Sequence, residues 1–333
     1  MTSPEPDRPL ACPSCGQPVR AGDNFCEACR ADLSPALVSG DHPEPLAQCP
    51  SCPGAPVTAD GYCESCGRKV PSANDHVELE LGLVAGVTDR GVRHQRNEDA
   101  MALATAQTAT GPAAIAVVCD GVSTSQHPDE ASRAAAQAAV QVLLSAVRGG
   151  EDVAEGSARA VQAAQQALGD LTESGGLQDN APSATFVSAV VTGQAVTLCW
   201  LGDSRAYWLD GRVRTDSRQL TSDDSVAQQL VSAGLLTEAE ALASPHGHVV
   251  TGWIGADLRG AEPHVVVDAP SGHGAVLLCS DGLWNYQSEP AAVGSAISAS
   301  GSDNITAVLV PFPPHSQPAS PTAPEEEPAD EPV

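Results

Sequence analysis

The sequence contains few positively charged residues. Only 16 of its 333 residues are Lys or Arg, against 42 Asp or Glu, and Lys69 is the only lysine. The formal net charge of −26 repels phosphate backbones and anionic lipid headgroups within a Debye length of about 10 Å. The charge balance therefore argues against nucleic acid and membrane surfaces as partners.

Long hydrophobic runs are also missing. No stretch approaches the ~18 consecutive apolar residues of a membrane-spanning helix, and the N-terminal region lacks the basic start and apolar core of a signal peptide. We therefore expect a soluble, cytoplasmic protein. The strong preference for Ala and Asp over Lys is typical of a high-GC bacterium such as an actinomycete.

Eight of the eleven cysteines lie in four CxxC pairs before residue 70. The segment CPSCGQPVRAGDNFCEACRADL, which begins at Cys12, is repeated as CPSCPGAPVTADGYCESCGRKV from Cys49, and every cysteine is shifted by 37 positions. In each copy ten residues separate the two pairs, so four thiolates can reach one tetrahedral ion. The predicted zinc ligands are Cys12, Cys15, Cys26 and Cys29, and then Cys49, Cys52, Cys63 and Cys66.

A four-cysteine site leaves no open coordination position, so we expect two structural zinc ions that drive the folding of two small zinc ribbons. Redox-active dithiols and iron are the alternatives. Residues 1–72 carry nine acidic and five basic side chains, which favours protein docking over nucleic acid binding by the ribbons. The other three cysteines, Cys119, Cys199 and Cys279, lie in apolar runs and are predicted to be small buried hydrophobic residues.

Composition predicts the domain boundaries. They are zinc ribbon 1 (1–33), a linker (34–48), zinc ribbon 2 (49–70), a second linker (71–78), a main domain (79–311) and a disordered Pro/Glu-rich tail (312–333). The main domain mixes strand-like Val- and Leu-rich runs with two Ala-rich segments, 128–147 and 153–171, that are typical of amphipathic helices. This mixture predicts an α+β fold.

Four segments of the main domain place a carboxylate at a strand end. They are RHQRNEDA at 93–100, VVCDGVS at 117–123, LLCSDGLWNY at 277–286 and SDNITAVLV at 302–310. Their aspartates are hard oxygen ligands that suit magnesium or manganese. A single Asp-Gly or Asp-Asn pair is more often a turn, but four in this arrangement predict a metal centre. The predicted catalytic residues are Asp99, Asp120, Asp281 and Asp303.

Three further segments, SAT at 183–185, WLGDSRAYWL at 200–209 and LTSDDSVAQQLVSAGLLTEAEA at 220–241, complete an ordered set of motifs. Together the seven motifs resemble the metal-dependent serine/threonine protein phosphatases, the PPM-type or type 2C family, over residues 79–311. The resemblance implies a four-layer α-β-β-α sandwich of two antiparallel sheets, with the metals at one end between the sheets. It also implies hydrolysis of phosphoserine and phosphothreonine by in-line attack of a metal-bound hydroxide at two manganese or magnesium ions.

The resemblance assigns the metal ligands. Asp120 would bridge the two ions and the carbonyl of Gly121 would bind one of them, while Asp281 and Asp303 would bind the other. Two further side chains, those of Glu98 and Asp99, would hold metal-bound waters or complete the shells.

The sequence departs from the family pattern at several positions. Where many members have a phosphate-binding arginine this chain has His94, and we predict that Arg93 binds the substrate phosphate, because a guanidinium offers a fork of donors that imidazole lacks. A third ion would be weakened by Asn180, which replaces a carboxylate ligand. The span between Asp281 and Asp303 is short and leaves only 290–300 as a possible helix.

Three other polar residues are given structural roles. Asp203 is predicted to be a hairpin-turn residue whose side chain caps the backbone, and Asn304 and Thr306 are predicted to shape the loop after Asp303. His94 is interpreted as a surface residue.

The resemblance implies phosphoproteins as substrates and a bacterial Ser/Thr kinase as the opposing enzyme. One alternative is a catalytically weak pseudophosphatase that binds phosphoproteins or docks a partner through its ribbons. Another is a ribbon-based nucleic acid factor with a vestigial phosphatase fold, which the net charge opposes.

Overall fold

A computed structural model describes residues 10–12, 15, 17–19, 25–29, 36–39, 48–58, 61–175, 180–193, 195–255, 262–270, 272–287 and 303–313. The candidate helix at 290–300 and residues 314–333 of the predicted tail lie outside these residues, whereas Phe312, assigned to the disordered tail, is the last residue of a strand. The strands are Leu10–Ala11 (β1), Pro18–Val19 (β2), Ala36–Ser39 (β3), His76–Glu80 (β4), Ala85–Asp89 (β5), Asp99–Thr108 (β6), Gly111–Asp120 (β7), Ser183–Ala184 (β8), Phe186–Thr192 (β9), Ala195–Leu201 (β10), Arg205–Asp210 (β11), Arg218–Gln219 (β12), Ile254–Gly255 (β13), His264–Asp268 (β14), Gly274–Cys279 (β15) and Ile305–Phe312 (β16). The helices are Pro128–Gly149 (α1), Val153–Gly175 (α2), Val226–Ser232 (α3), Glu238–Leu242 (α4) and Asp281–Trp284 (α5).

Two six-stranded antiparallel sheets form the centre of the fold. The first has the strand order β14-β10-β9-β7-β6-β3, and the second has the order β12-β11-β15-β16-β5-β4. Two short pairs, β1 with β2 and β8 with β13, are separate from them. The predicted pair of antiparallel sheets is confirmed.

The side chains of β7 show why the first sheet is buried on both faces. Ile115, Val117 and Cys119 pack toward the helices, whereas Ala116 and Val118 pack toward the second sheet. Successive strand residues point to opposite faces, so a run of apolar residues without alternation gives a strand between two apolar layers.

Two helices, α1 and α2, cover the outer face of the first sheet, as their Ala-rich sequences predict. The residue at the first position of α1 is Pro128, and Gly150, with φ +65°, follows its last turn. The small side chains let the helices approach closely, since a Cβ built on Gly156 of α2 would lie 2.8 Å from the Cβ of Ala146. All three isolated cysteines of the main domain are fully buried, as predicted.

The outer face of the second sheet has a smaller apolar layer. Leu283 and Trp284 of α5 pack with Tyr207 and Leu277 of the sheet, and Leu242 of α4 lies against the same cluster. Helix cover on both outer faces gives the four layers that the family resemblance implies.

The segment between the ribbons takes part in the sheet. Residues Ala36–Ser39 lie in the stretch predicted as a linker, and they pair antiparallel with residues 102–105 of β6 as the edge strand of the first sheet. Backbone hydrogen bonds therefore join the segment between the ribbons to the main domain. Among the helices that the structure describes, none combines the length and apolar character that a membrane crossing requires.

Candidate metal centre

The first two aspartates meet across a strand pair. Asp99 is the first residue of β6 and Asp120 is the last residue of β7, and the antiparallel register places them directly opposite each other. Side chains opposite one another on an antiparallel pair have Cβ atoms roughly 4.5–5.5 Å apart. The register therefore fixes two carboxylates side by side at one end of the first sheet.

The second sheet supplies the other two. Asp281 begins α5 two residues after β15 ends, and Asp303 lies two residues before β16 begins. Because β15 and β16 are antiparallel neighbours, the end of one strand lies beside the start of the other. The carboxyl groups of Asp120 and Asp281 each shift the pKa of the other, so the two sheets bring these side chains close together.

This crowding changes the acidity of the carboxyl groups. Burial raises the pKa of Asp99 to about 7, although the Ser280 hydroxyl partly offsets the rise. Burial and then the charges of Asp99 and Asp281 raise the pKa of Asp120 well above its usual value. Burial and the charge of Asp303 likewise raise the pKa of Asp281. Without a cation, the centre holds more negative charge than its surroundings stabilise.

One oxygen of the centre has no protein partner. Oδ2 of Asp99 accepts a hydrogen bond of 2.6 Å from the Ser280 hydroxyl, whereas the buried Oδ1 has no partner among the described residues. A buried carboxylate oxygen without a donor is costly, and a divalent cation or its water shell satisfies it. The donor set, all carboxylate and carbonyl oxygen, is the kind that manganese and magnesium prefer.

The carboxylates are more widely spaced than the cysteines. Within the part of the chain that the structure describes, only the two cysteine sets place three or more ligand atoms within 4.8 Å of one another. Ligands of two ions that are themselves about 3.5–4 Å apart are spread over a larger volume than ligands of one ion.

Two glycines allow the backbone to approach the centre. A Cβ on Gly121 would lie 2.3 Å from the carbonyl oxygen of Pro128 and 2.8 Å from that of Glu98, so no larger residue fits. A Cβ on Gly282 would lie 1.9 Å from the carbonyl oxygen of Asn304. Close packing therefore requires glycine directly after Asp120 and Asp281.

Asn304 holds a different loop from the one predicted. Its Oδ1 accepts a hydrogen bond of 2.9 Å from the backbone N–H of Glu98. Its Nδ2 donates to the carbonyls of Arg90 at 2.7 Å and Arg96 at 3.1 Å. The buried side chain therefore clamps the segment 90–98, and the prediction of a role confined to the loop after Asp303 was too local.

Thr306 also acts outside its own loop. Its hydroxyl donates to Oγ1 of Thr88 at 2.6 Å, and its backbone N–H donates to Oγ of Ser280 at 3.0 Å. Ser280 in turn donates to Asp99, so Thr306 orients a residue that contacts the centre.

Two neighbouring side chains of the segment 90–98, His94 and Arg93, have different surroundings. Nε2 of His94 lies 2.9 Å from Oδ1 of Asp303, and a third of the His94 side chain is exposed, so the residue interpreted as a surface residue also contacts the centre. Arg93 is exposed, and no ion pair of its side chain is found within the described ranges. Glu98 is half-buried and accepts a hydrogen bond of 2.5 Å from the hydroxyl of Ser123.

Asp203 is a member of the acidic centre that the sequence interpretation missed. It lies in the turn between β10 and β11, as predicted, but it is buried. Burial and the charge of Asp281 raise its pKa well above the usual value. The available signal was the apolar strand AVTLCWL directly before GDSR, which places the turn at the end of the buried sheet. Asn180 is exposed and donates its amide to the carbonyl of Thr124.

The two cysteine sets are distinct from the acidic centre. In the first, Sγ of Cys12 lies 3.6 Å from Sγ of Cys29, and in the second, Sγ of Cys49 lies 3.8 Å from Sγ of Cys66. Four sulfur atoms about 2.3 Å from a tetrahedral zinc ion lie about 3.8 Å from one another. The predicted cysteines are therefore grouped at the separations that a zinc ribbon requires.

An acidic centre between two antiparallel sheets, together with two four-cysteine sites, defines a protein built to bind cations. The sequence model of the protein phosphatase 2C family matches residues 90–300, and that of the double zinc ribbon matches residues 12–73. The chain belongs to the protein phosphatase 2C family and carries a double zinc ribbon before the phosphatase domain.

Known proteins show the same relationship. The chain is 29% identical over 148 residues to the serine/threonine phosphatase stp of Listeria monocytogenes, a match that covers 39% of this chain and 57% of that protein. The crystal structure of the serine/threonine phosphatase Stp1 from Staphylococcus aureus superposes with a TM-score of 0.56 at 24% identity, covering 71% of this chain and 97% of that one. The catalytic domain of the phosphatase PstP in complex with two manganese ions has a TM-score of 0.51 at 24% identity, covering 68% and 96%. The chain thus spans about half the length of the curated relative, and the solved structures establish the fold.

Proposed function

We propose that the chain is a metal-dependent protein phosphatase that hydrolyses phosphoserine and phosphothreonine with a pair of manganese or magnesium ions. The meeting of strand-end carboxylates from both sheets at one buried end is the observation that supports this most directly. The unpartnered Oδ1 of Asp99 adds to it, because a cation or its water is the partner that a buried carboxylate needs.

Each residue of the centre has a proposed role. Asp120, between Asp99 on its own sheet and Asp281 on the other, would contribute to holding both ions, and the carbonyl of Gly121 would help to hold one of them. Asp281 and Asp303 would hold the other ion. Glu98 and Asp99 hold water in the shells, which suits a group that is fixed by a neighbouring hydroxyl on one oxygen only, as Asp99 is by Ser280.

Arg93 and His94 have separate proposed roles. Arg93 is exposed on the loop that Asn304 clamps beside the centre, and we assign it to the substrate phosphate, which a guanidinium binds with two parallel hydrogen bonds. His94 contacts Asp303 through Nε2, and we assign it to positioning that carboxylate.

When bound, the two ions supply positive charge that stabilises the phosphoryl group and lowers the pKa of the attacking water. The two manganese ions in the PstP structure are the basis for naming manganese here. We further propose that the cysteine sets bind two structural zinc ions, that phosphoproteins are the substrates, and that a bacterial Ser/Thr kinase is the opposing enzyme.

Hydrolysis of p-nitrophenyl phosphate tests the proposal. Turnover is measured with and without added manganese for the wild type, for Asp281→Asn and for the matched exposed control Asp216→Asn, after zinc analysis and circular dichroism confirm folding. We expect manganese-dependent turnover in the wild type and in Asp216→Asn. We expect Asp281→Asn to reduce turnover by about 100-fold or more, because removal of a single group that stabilises transition-state charge lowers kcat by about 10²–10³-fold.

Absence of turnover would favour the alternative of a pseudophosphatase. A folded, manganese-replete wild type that hydrolyses neither p-nitrophenyl phosphate nor a phosphothreonine peptide would move the assignment to a pseudophosphatase that binds phosphoproteins.

A further inference from the structure

A cavity of about 270 Å³ lies where the second ribbon meets the phosphatase domain. Its lining includes Lys69 from the ribbon, Asp75 and His76 from the start of the phosphatase domain, and Asp89 and Arg90 from the end of β5 and the residue after it. The ribbon and the phosphatase domain therefore share one concave, charged surface.

Four of these charged groups are paired with each other. Nε of Arg90 lies 3.3 Å from Oδ2 of Asp75, and Nδ1 of His76 lies 2.8 Å from Oδ2 of Asp89. Lys69, the only lysine of the chain, is half-buried, and no ion pair of its ammonium group is found within the ranges that the structure covers. Asp75 acts electrostatically on Lys69 as well as pairing with Arg90, so Lys69 differs from His76 and Arg90 in having no carboxylate in direct contact among the described residues.

Arg90 connects this cavity to the metal centre. Its Nη1 donates to the carbonyl oxygen of His94, and its own carbonyl accepts a hydrogen bond of 2.7 Å from Asn304. His94 contacts Asp303 directly. The cavity wall and the candidate catalytic centre are thus separated by a single residue, and Arg93 lies on the loop between them.

The charge distribution of the whole chain makes this position unusual. The protein carries a net charge of −26, yet two arginines, Arg90 and Arg96, act electrostatically on Lys69 together with the carboxylates of Asp75 and Asp129. Burial, more than the two arginines, lowers the pKa of Lys69. Arg90 and Arg96 are each paired with a carboxylate, Asp75 and Asp129, so Lys69 is the basic group of this set that has no ion pair within the described part of the chain and can meet an anionic substrate.

We propose that this cavity binds the carboxylate of an acidic residue that flanks the phosphorylated residue of the substrate. Lys69 forms the ion pair with that carboxylate, and Arg90 lines the cavity. The second ribbon then forms part of the substrate-binding surface and gives the enzyme a preference for acidic phosphopeptides. The inference rests on the proposed phosphatase function and specifies its substrate class.

The test compares two phosphothreonine peptides that differ only in charge. One has Glu at three positions on each side of the phosphothreonine, and the other has Gln at the same positions. We measure kcat/KM for both peptides with the wild type, with Lys69→Met and with Arg68→Met, a control that removes the same charge from the adjacent exposed residue. Zinc analysis confirms that the ribbon of each variant is folded.

The ratio of kcat/KM between the Glu and Gln peptides is the measured quantity. We expect Lys69→Met to lower this ratio by about threefold to tenfold, mainly through KM, because a partly buried ion pair contributes more than an exposed one. Arg68→Met should leave the ratio close to that of the wild type. In the wild type the ratio should also fall as salt is raised, since screening weakens the pair.

The inference is overturned if the ratio is equal in all three proteins, or if Lys69→Met and Arg68→Met lower the ratio equally. In either case, hydrolysis of both peptides still supports the phosphatase function. If neither peptide is hydrolysed, the phosphatase function fails. Fluorescence anisotropy with the same labelled peptides then decides the binding claim, which is overturned if Lys69→Met binds the two peptides in the wild-type ratio.

Discussion

The metal-free protein should lose stability as the pH rises, because its buried centre must take up charge. Asp99 shows the effect most clearly: burial raises its pKa from an ordinary value of 3.8 to about 7 in the folded state. Between these two values the folded protein binds a proton that the unfolded chain has released. The stabilising contribution is therefore complete below pH 4 and is lost as the pH rises through about 7.

The expected size follows from the shift. Three pKa units at about 1.4 kcal/mol each give a loss of about 4 kcal/mol in the free energy of unfolding, with a slope of about −1.4 kcal/mol per pH unit from this one group. Asp120 and Asp281, whose pKa values are also raised, add to the slope in the same direction.

Urea unfolding between pH 4 and 8 measures this slope. The four tryptophans, Trp200, Trp208, Trp253 and Trp284, all lie after residue 79, so their fluorescence reports on the phosphatase domain and not on the ribbons. Asp99→Asn keeps an oxygen that can accept the Ser280 hydrogen bond but removes the titration. We expect the slope without manganese to become shallower by about 1.4 kcal/mol per pH unit.

Manganese should reverse the pH dependence. An ion that binds only the folded protein stabilises it by about 2.7 kcal/mol at 100 times its Kd, and it binds more tightly as carboxylates ionise. Asp216→Asn is the exposed control. If Asp99→Asn and the wild type have the same slope without manganese, Asp99 is already ionised at low pH and the argument from burial is refuted.

Other parts of the chain give sharper tests of packing and zinc binding. Arg205→Met removes the guanidinium that lies 2.7 Å from the buried carboxylate of Asp223. Urea unfolding should show a loss of about 3–5 kcal/mol in the free energy of unfolding, because the carboxylate stays buried without its charged partner. Gly169→Ala should raise the free energy of unfolding by about 0.8–1 kcal/mol, because nothing lies within 4 Å of the new methyl group. Gly156→Ala in the same helix should lower it, because the methyl group meets α1. Cys49→Ser should reduce the zinc content from two ions per chain to one, measured by elemental analysis, since a closed site needs all four ligands.

Matched controls separate these effects from general damage. Arg218→Met removes an exposed pair with Asp268 and should change the stability by less than about 1 kcal/mol. Equal losses for Arg205→Met and Arg218→Met would contradict the claim that burial sets the cost. Two zinc ions in Cys49→Ser, or equal effects of the two glycine substitutions, would likewise show that the corresponding argument is wrong.

Local pattern predicted the helices well and some strands poorly. The strand 99–108 reads DAMALATAQT, and alanine favours helices by intrinsic propensity. It is a strand because it pairs with residues 111–120 along its whole length, and small side chains fit between the helical layer and the second sheet. Residues 36–39 were assigned to a linker for a similar reason, because their partners lie 63 to 69 positions further along the chain.

The candidate site was predictable as a set of residue types and not as a set of contacts. The order of the motifs indicated the four aspartates, and the structure brings them to one end of the sandwich. Three features of the site depend on residues that are far apart in sequence. They are the burial of Asp203, the contact between His94 and Asp303, and the hydrogen bonds of Asn304 to the segment 90–98. No local pattern contains that information.

The sequence alone determined the features that depend on spacing and composition. These are the duplicated four-cysteine ribbons, the two Ala-rich helices, the acidic charge and the carboxylates at strand ends. Only the tertiary structure decided which strand lies beside which, how deeply each carboxylate is buried, and that Lys69 of the second ribbon lies next to Arg90. The reason is physical: helical periodicity and metal-ligand spacing act over a few residues, whereas strand register, desolvation and charge pairing depend on which distant segments pack together.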